Sequence, residues 1–535
     1  MVEINEPVDV LIIGGGASGA AVAWSLAETK MRIVCLEQGN WIKNEDFPST
    51  GRDWEARQFG DFAISPNRRK LAADYPINED DSPIKVANFN GVGGGTILYA
   101  GHFPRFHPSD FKVKTLDGVA DDWPIDYATL EPFFELNDKM TGVASLAGDP
   151  AYPPKPAVMP PLPMGRSCEV IGEAMNKLGW HWWLSDAAIN TQEYEGRAPC
   201  INLGHCGSGC AQGAKATTDG TYWPEAIRAR VEVRHRCRVR RIETNEDDMA
   251  TGVYYIDPDG VERFQPAEII IVACNGVGTP RLLLNSASER FPDGLCNSSG
   301  MVGKNLMFHP YSQVRGHVDE KLEGYMGPRI GTWSMEFYET DPGRDFKRGY
   351  CYQFSRGYGP VATAVNGMAD GIIPWGAGHH DAFGRMFDHS LGMLAICEDL
   401  PEEINRVTID PDLTDSDGIP APKITYRLSE NSKRMLDHSV ARGKEVLLAA
   451  GARDITHKTI FPGAGWHLMG TARMGTDPKT SVVNEWGRSH DVRNLFIVDG
   501  SVFVTSGGVN PTSTIQAIAL YVADQIKNRI YELFD

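Results

Sequence analysis

The chain has 535 residues, of which 42% are hydrophobic and 23% charged, with a formal net charge of −18. That balance is typical of a globular protein of two or three domains and excludes a disordered or low-complexity chain. The acidity excludes a general nucleic-acid binder, and also docking on an anionic membrane through Lys and Arg; both need a basic face.

The N-terminus, MVEINEPVDVLIIGGG, has no charged leader, apolar signal core or cleavage site. No run of about 18 apolar residues occurs anywhere, so no membrane span is predicted. A cytoplasmic location is the expectation, with export on a partner's signal left open.

Residues 8–13, VDVLII, predict a buried parallel strand. Gly14, Gly16 and Gly19 then give G-x-G-x-x-G at the start of a predicted helix, and a second strand, 32–39, carries Glu37. The order strand, glycine turn, helix, strand, acid is that of a dinucleotide site. A pyrophosphate sits on the free N–H groups of the helix start, where glycines let it approach, and the Glu37 carboxylate accepts from ribose hydroxyls. The pattern does not separate FAD from NAD.

A second glycine-rich stretch spans 88–106. Residues 150–163 hold seven prolines in fourteen positions and predict a stiff extended connection, either a linker or a lid. Strands are predicted at 231–243, 268–274 and 494–504, a turn and helix at 275–287, and a closing amphipathic helix at 514–530. Between about 120–195 and 310–455, many aromatics and short alternating runs predict a separate sheet-containing layer. Trp-rich 179–185 reads as core rather than substrate wall.

Ten cysteines are too sparse for a disulfide scaffold. Seven are scattered and read as small buried hydrophobes. Cys200, Cys206 and Cys210 form C-x5-C-x3-C on a glycine-rich segment. Three thiolates at such spacing can ligate an iron–sulfur cluster. A structural loop is the other reading. Zinc would need a fourth ligand, and His205 is badly placed for it.

Four segments together resemble the glucose–methanol–choline (GMC) flavoprotein oxidoreductases: GGGASG with Glu37; GVGGGTILYAG at 91–101; NGVGTPRLLLNSA at 275–287; and WHLMGTARMG at 466–475 followed by VNPTSTIQAIAL at 509–520. VGKNLMFHP at 302–310 is a fifth. The third keeps Thr279, Pro280, Leu282 and Leu283 but has Asn-Gly and a final Ala where the family often has Gly-Ala and Gly.

The resemblance implies an α/β and α+β fold: a Rossmann-like FAD-binding domain with an interleaved substrate domain built on an antiparallel sheet with helices. The expected division is 1–120, 196–308 and 456–535 for FAD, and 121–195 and 309–455 for substrate. By carry-over, FAD would be held by Gly14, Gly16, Ser18, Gly19 and Glu37, and by Gly93, Gly94, Gly95, Thr96, Tyr99 and Ala100. Val239 would lie near the adenine. Asp499, Gly500, Asn510, Pro511 and Thr512 complete the set. Some pyranose oxidases of the family tether FAD through a His in the second glycine loop. Leu98 stands at that place here, so non-covalent FAD is expected.

Alcohol oxidation needs a base for the hydroxyl proton and a C–H bond aimed at flavin N5. His467 and Asn510 match the family's His–Asn catalytic pair; imidazole suits the first task, and a second hydrogen-bonding group fixes the hydroxyl. His309 reads as structural, and His102 and His107 more so. The expected reaction is oxidation of a CH–OH group of a sugar, glycoside or polyol. Oxidation of hydrophobic or aromatic alcohols is one alternative, and a non-catalytic FAD electron-transfer subunit another. Oxygen, a quinone or a cytochrome could take the electrons. Some membrane-linked bacterial glucose dehydrogenases of the family carry a cluster on a segment of this cysteine spacing, but theirs continues Cys-Pro where Ala211 follows Cys210.

Overall fold

A computed structural model describes residues 3–533. The strand Val8–Ile13 pairs in parallel with Ile33–Glu37 on one side and Glu262–Val272 on the other. Glu232–His235 extends this sheet beyond Ile33–Glu37, and Leu495–Ile497 runs parallel to the end of Glu262–Val272. Val10, Leu11 and Ile12 have no exposed surface, which is why the strand reads as a continuous apolar run. The helix Ala17–Leu26 packs beside the closing helix Thr512–Arg529. Buried Ala20, Ala21 and Ala23 leave room for that approach. The first half of Glu262–Val272 continues as an antiparallel meander with Ala250–Ile256 and Arg238–Thr244.

A second sheet has six strands, all antiparallel, in the order Arg453–Lys458, Tyr311–His317, Ser390–Cys397, Tyr350–Ser355, Ile330–Phe337, Trp183–Leu184. The helix Glu430–Ala449 covers one face. Ser312 and Ser439 share a hydrogen bond of 2.7 Å, and a side chain at Gly443 would come within 2.9 Å of Val314. Alternation along the strand therefore turns Tyr311, Gln313 and Arg315 to the other face. A mixed α/β architecture with this antiparallel layer is the fold class read from the sequence. Among the described residues no helix is long and apolar enough to cross a membrane.

Three local expectations need correction. Residues 231–243 are two strands, because Arg236 takes a left-handed backbone (φ 59°) and its N–H turns to the Gly39 carbonyl. The strand expected over 494–504 ends at Ile497; the Asp499 carboxylate then accepts from Ser501 N–H and starts a short turn of helix. The closing helix begins at Thr512, two residues early. The proline-rich 150–163 segment forms neither helix nor ladder strand.

Candidate active site

Two glycine loops meet at the C-terminal edge of the parallel sheet. The Gly93 N–H donates to the Gly15 carbonyl at 2.9 Å. Gly94 lies against Gly16, where an added Cβ would stand 2.8 Å from the Gly16 Cα. Gly14 and Gly93 have φ of 105° and 99°, a region that disfavours side chains. A Cβ at Gly19 would come within 1.9 Å of the Gly14 carbonyl oxygen. By contrast, the space beside Gly95 is open, and beside Gly16 only Gly94 approaches. The helix Ala17–Leu26 has no side-chain cap, so its first-turn N–H groups are free to bind an anion. Buried Ser18 lies in that turn. These features fit the pyrophosphate of FAD.

Glu37 is already at work in the protein itself. One oxygen accepts from Gly15 N–H and the other from Gly39 N–H, both at 2.8 Å. Each oxygen keeps a lone pair, so ribose hydroxyls can still be received. Burial pushes the carboxyl upward from its usual range, and the backbone donors pull the other way. Thr96 spends its hydroxyl on the Gly93 carbonyl and accepts from Thr218 N–H, which locks the second loop. Tyr99 donates to the Ala216 carbonyl, and Ala100 is half-buried. Val239 is half-buried on the meander. Asp499 accepts from Asn275 N–H (3.1 Å) and the Thr279 hydroxyl (2.6 Å), tying the Thr-Pro-x-Leu-Leu helix to the last strand. A side chain at Gly500 would strike the Leu468 carbonyl at 2.7 Å. Pro511 precedes the closing helix, and Thr512 is its first residue.

The second wall is built from the C-terminal pair. His467 is buried, and its Nδ1 lies 2.7 Å from Nδ1 of His309. Nε2 of His309 lies 2.6 Å from the Gly507 carbonyl and 3.2 Å from that of Ser506. Burial lowers the pKa of His467 well below the imidazole range, and neighbouring His309 and His102 add to this. Burial takes His309 to about 4 and His102 to about 3. Nδ1 of His102 is buried without a hydrogen-bond partner. Asn510 accepts at its side-chain oxygen from the Gln353 amide. That fixes the Asn510 amide with its NH2 group free to donate. The Tyr311 ring stands 6.1 Å from that of His467. Tyr311 and Gln353 lie on one sheet face, through the registers Tyr311–Ile396–Cys351 and Gln313–Leu394–Gln353. The antiparallel sheet thus roofs both His467 and Asn510. Neither His309 nor Gln353 was expected at the site from sequence; both reach it only through long-range pairing.

The cysteine segment lies behind the second glycine loop. The Lys215 ammonium is buried and donates to the carbonyls of Ile97 (2.8 Å), Tyr99 (2.8 Å) and Cys206 (2.5 Å). Burial lowers its pKa to about 8. Cys206 is buried, whereas Cys200 and Cys210 are half-buried. Burial raises the Cys200 thiol to about 11. Among the described residues no three His, Cys, Asp or Glu side chains are gathered to hold a metal ion.

Residues 8–311 match the N-terminal profile of the GMC oxidoreductases, and 401–519 the C-terminal one. The 2-methyl-1,2-propanediol dehydrogenase of Mycolicibacterium austroafricanum is 40% identical over 99% of this chain and 97% of its own. The fructose dehydrogenase large subunit of Gluconobacter japonicus is 29% identical, covering 97% and 98%. The paromamine 6'-oxidase of Streptomyces fradiae is 30% identical, covering 97% and 91%. The crystal structure of pyridoxine 4-oxidase from Mesorbium loti superposes with a TM-score of 0.69 at 18% identity, over 97% of this chain and 99% of that one.

Proposed function

Because the chain belongs to the GMC oxidoreductases, a FAD-dependent family with dehydrogenase and oxidase members acting on CH–OH groups, we propose that it oxidises an alcohol of a polyol or sugar, with His467 as general base and Asn510 as hydroxyl anchor. The observation that carries this reading is the roofed pair: a buried neutral imidazole and an oriented amide beneath one sheet face. FAD, when bound by the two glycine loops, supplies the hydride acceptor. The protein's own part is to hold and deprotonate. Asn510 donates to the substrate oxygen, His467 takes its proton, and the roof excludes water.

The roof favours a hydroxyl-rich substrate over a hydrophobic one. Its central row runs Gln353, Leu394, Gln313, Lys458, and Arg315 follows two residues beyond Gln313. Gln313 is 5% exposed, and its side-chain oxygen has no partner in the protein. An unpartnered buried acceptor costs roughly 1–3 kcal/mol unless a donor reaches it, and a second substrate hydroxyl would serve. The relatives named for a diol, fructose and paromamine agree with this class.

Anaerobic stopped-flow reduction of the holoenzyme by 2-methyl-1,2-propanediol, fructose and benzyl alcohol tests the reading. The hydroxyl-rich compounds should bleach the flavin fastest; preference for benzyl alcohol would reverse the substrate class. No bleaching by any alcohol would favour an electron-transfer subunit. FAD should leave the protein on acid precipitation. Reoxidation by oxygen, a quinone and cytochrome c then identifies the acceptor, and an iron assay per flavin decides whether the cysteine segment carries a cluster.

A further inference from the structure

Resting on the reading of His467 as base, we infer that His309 is a positioning residue that fixes His467 in the tautomer whose Nε2 is free to take the hydroxyl proton. The hydrogen-bond chain leaves one assignment. The carbonyls of Gly507 and Ser506 can only accept, so Nε2 of His309, at 2.6 and 3.2 Å from them, carries hydrogen. A neutral imidazole has one N–H, which makes Nδ1 of His309 an acceptor. At 2.7 Å the opposing Nδ1 of His467 must then be the donor. Nε2 of His467 is left with its lone pair exposed for the substrate.

The anchor of this chain is itself held. Gly507 takes φ of 60°, and a side chain there would meet Phe106 at 3.0 Å and Asp110 at 3.2 Å. The next residue, Gly508, donates its N–H to the Tyr338 hydroxyl at 3.0 Å, and that hydroxyl donates to Asp110 at 2.8 Å. Asp110 is paired in turn with buried Arg348 at 2.6 Å, and Arg348 with Glu398 at 2.9 Å. The Ser506 hydroxyl donates to the Asp399 carbonyl and accepts from the Asp399 N–H, both at 2.9 Å. The carbonyl that dictates the tautomer therefore has little freedom to turn away.

The arrangement also fixes where the proton goes. As the substrate O–H bond breaks, an N–H bond forms at Nε2 of His467. The positive charge is shared with His309 through the Nδ1–H···Nδ1 contact. Beyond His309 the chain ends on carbonyls, which cannot take the proton. It stays within the His467–His309 pair and must leave by Nε2 of His467. In a serine-protease triad a carboxylate orients the imidazole. Here a neutral histidine backed by a carbonyl does so, and no buried anion is needed.

The test uses FAD-loaded protein carrying 15N-labelled histidine rings. Long-range proton–nitrogen spectra should show one ring with hydrogen on Nδ1 and bare Nε2, absent in His467→Ala, and one with the reverse pattern, absent in His309→Gln. Hydrogen on Nε2 of His467 would overturn the inference. The kinetic arm uses 2-methyl-1,2-propanediol as reductant. His309→Leu, which can neither accept nor donate, should slow flavin reduction by about 10–100-fold, the scale for losing an orienting partner, with the substrate Kd and flavin spectrum unchanged. His309→Gln can accept from His467 and donate to Gly507, and should recover most of the rate. Equal losses in both variants, or none in either, would overturn the inference. A wild-type rate in His467→Ala would instead remove the base reading beneath it. Should the diol not reduce the wild-type holoenzyme, the spectra alone decide.

Discussion

The glycine turn near the N-terminus and the histidine wall near the C-terminus are built by different means. The turn is a backbone device. Its shape follows from missing side chains at Gly14, Gly16, Gly19 and Gly94, with contacts so close that a single carbon cannot be added at several of them. The wall is a side-chain device. His467 is hydrogen-bonded to His309 and Asn510 to Gln353, and both partners come from elements far away in the chain. A backbone device fails all at once when altered, whereas a side-chain device can be detuned by degrees.

The largest expected effect follows on the backbone side. Gly19→Val places carbon on top of the Gly14 carbonyl, and the purified protein should carry almost no flavin by its absorbance ratio. Full flavin content would break the comparison. On the other wall, His467→Ala should keep FAD bound yet slow anaerobic reduction by about 10²–10⁴-fold, the scale for losing a general base. Unimpaired bleaching would dismiss His467 from catalysis.

The pH profile sharpens the same point. A base acts deprotonated, so its acid limb sits at its own pKa. With His467 held well below the usual 6.5, chiefly by burial, reduction by substrate should stay flat down through pH 6.5. An acid limb centred at 6.5 or above would show an exposed, ordinary imidazole. A smaller change is expected for Gln353→Leu: removal of one hydrogen bond, about 1 kcal/mol, should lower kcat/KM about 5-fold with flavin content intact. Smallest in its effect on chemistry is Lys215→Met. It leaves three carbonyls without their donor and should lower stability by about 2–4 kcal/mol, read as a fall in Tm, with reduction by substrate nearly unchanged.

The same division explains what the sequence could tell. Backbone devices leave a local signature. The strand Val8–Ile13, the glycine turn and Glu37 are legible because the turn admits no side chain at Gly14 and Gly19, which fixes glycines at set spacing. The antiparallel layer was legible as short alternating runs, though not its strand order, which depends on pairing between distant segments. The break at Arg236 went unseen because the flanking alternation continues through it. His309 looked structural since its partner lies 158 positions away, and nothing near Asn510 in the chain points to Gln353.

Lys215 has a mechanical consequence. One ammonium group ties the second glycine loop and the cysteine segment together at a single point. The two cannot drift apart without unseating a charge that has no water to turn to. Whatever strains the cysteine segment, a thiol reagent at Cys210 for instance, will therefore be felt in the second glycine loop, and with FAD bound there as proposed, flavin fluorescence becomes a gauge of that remote segment.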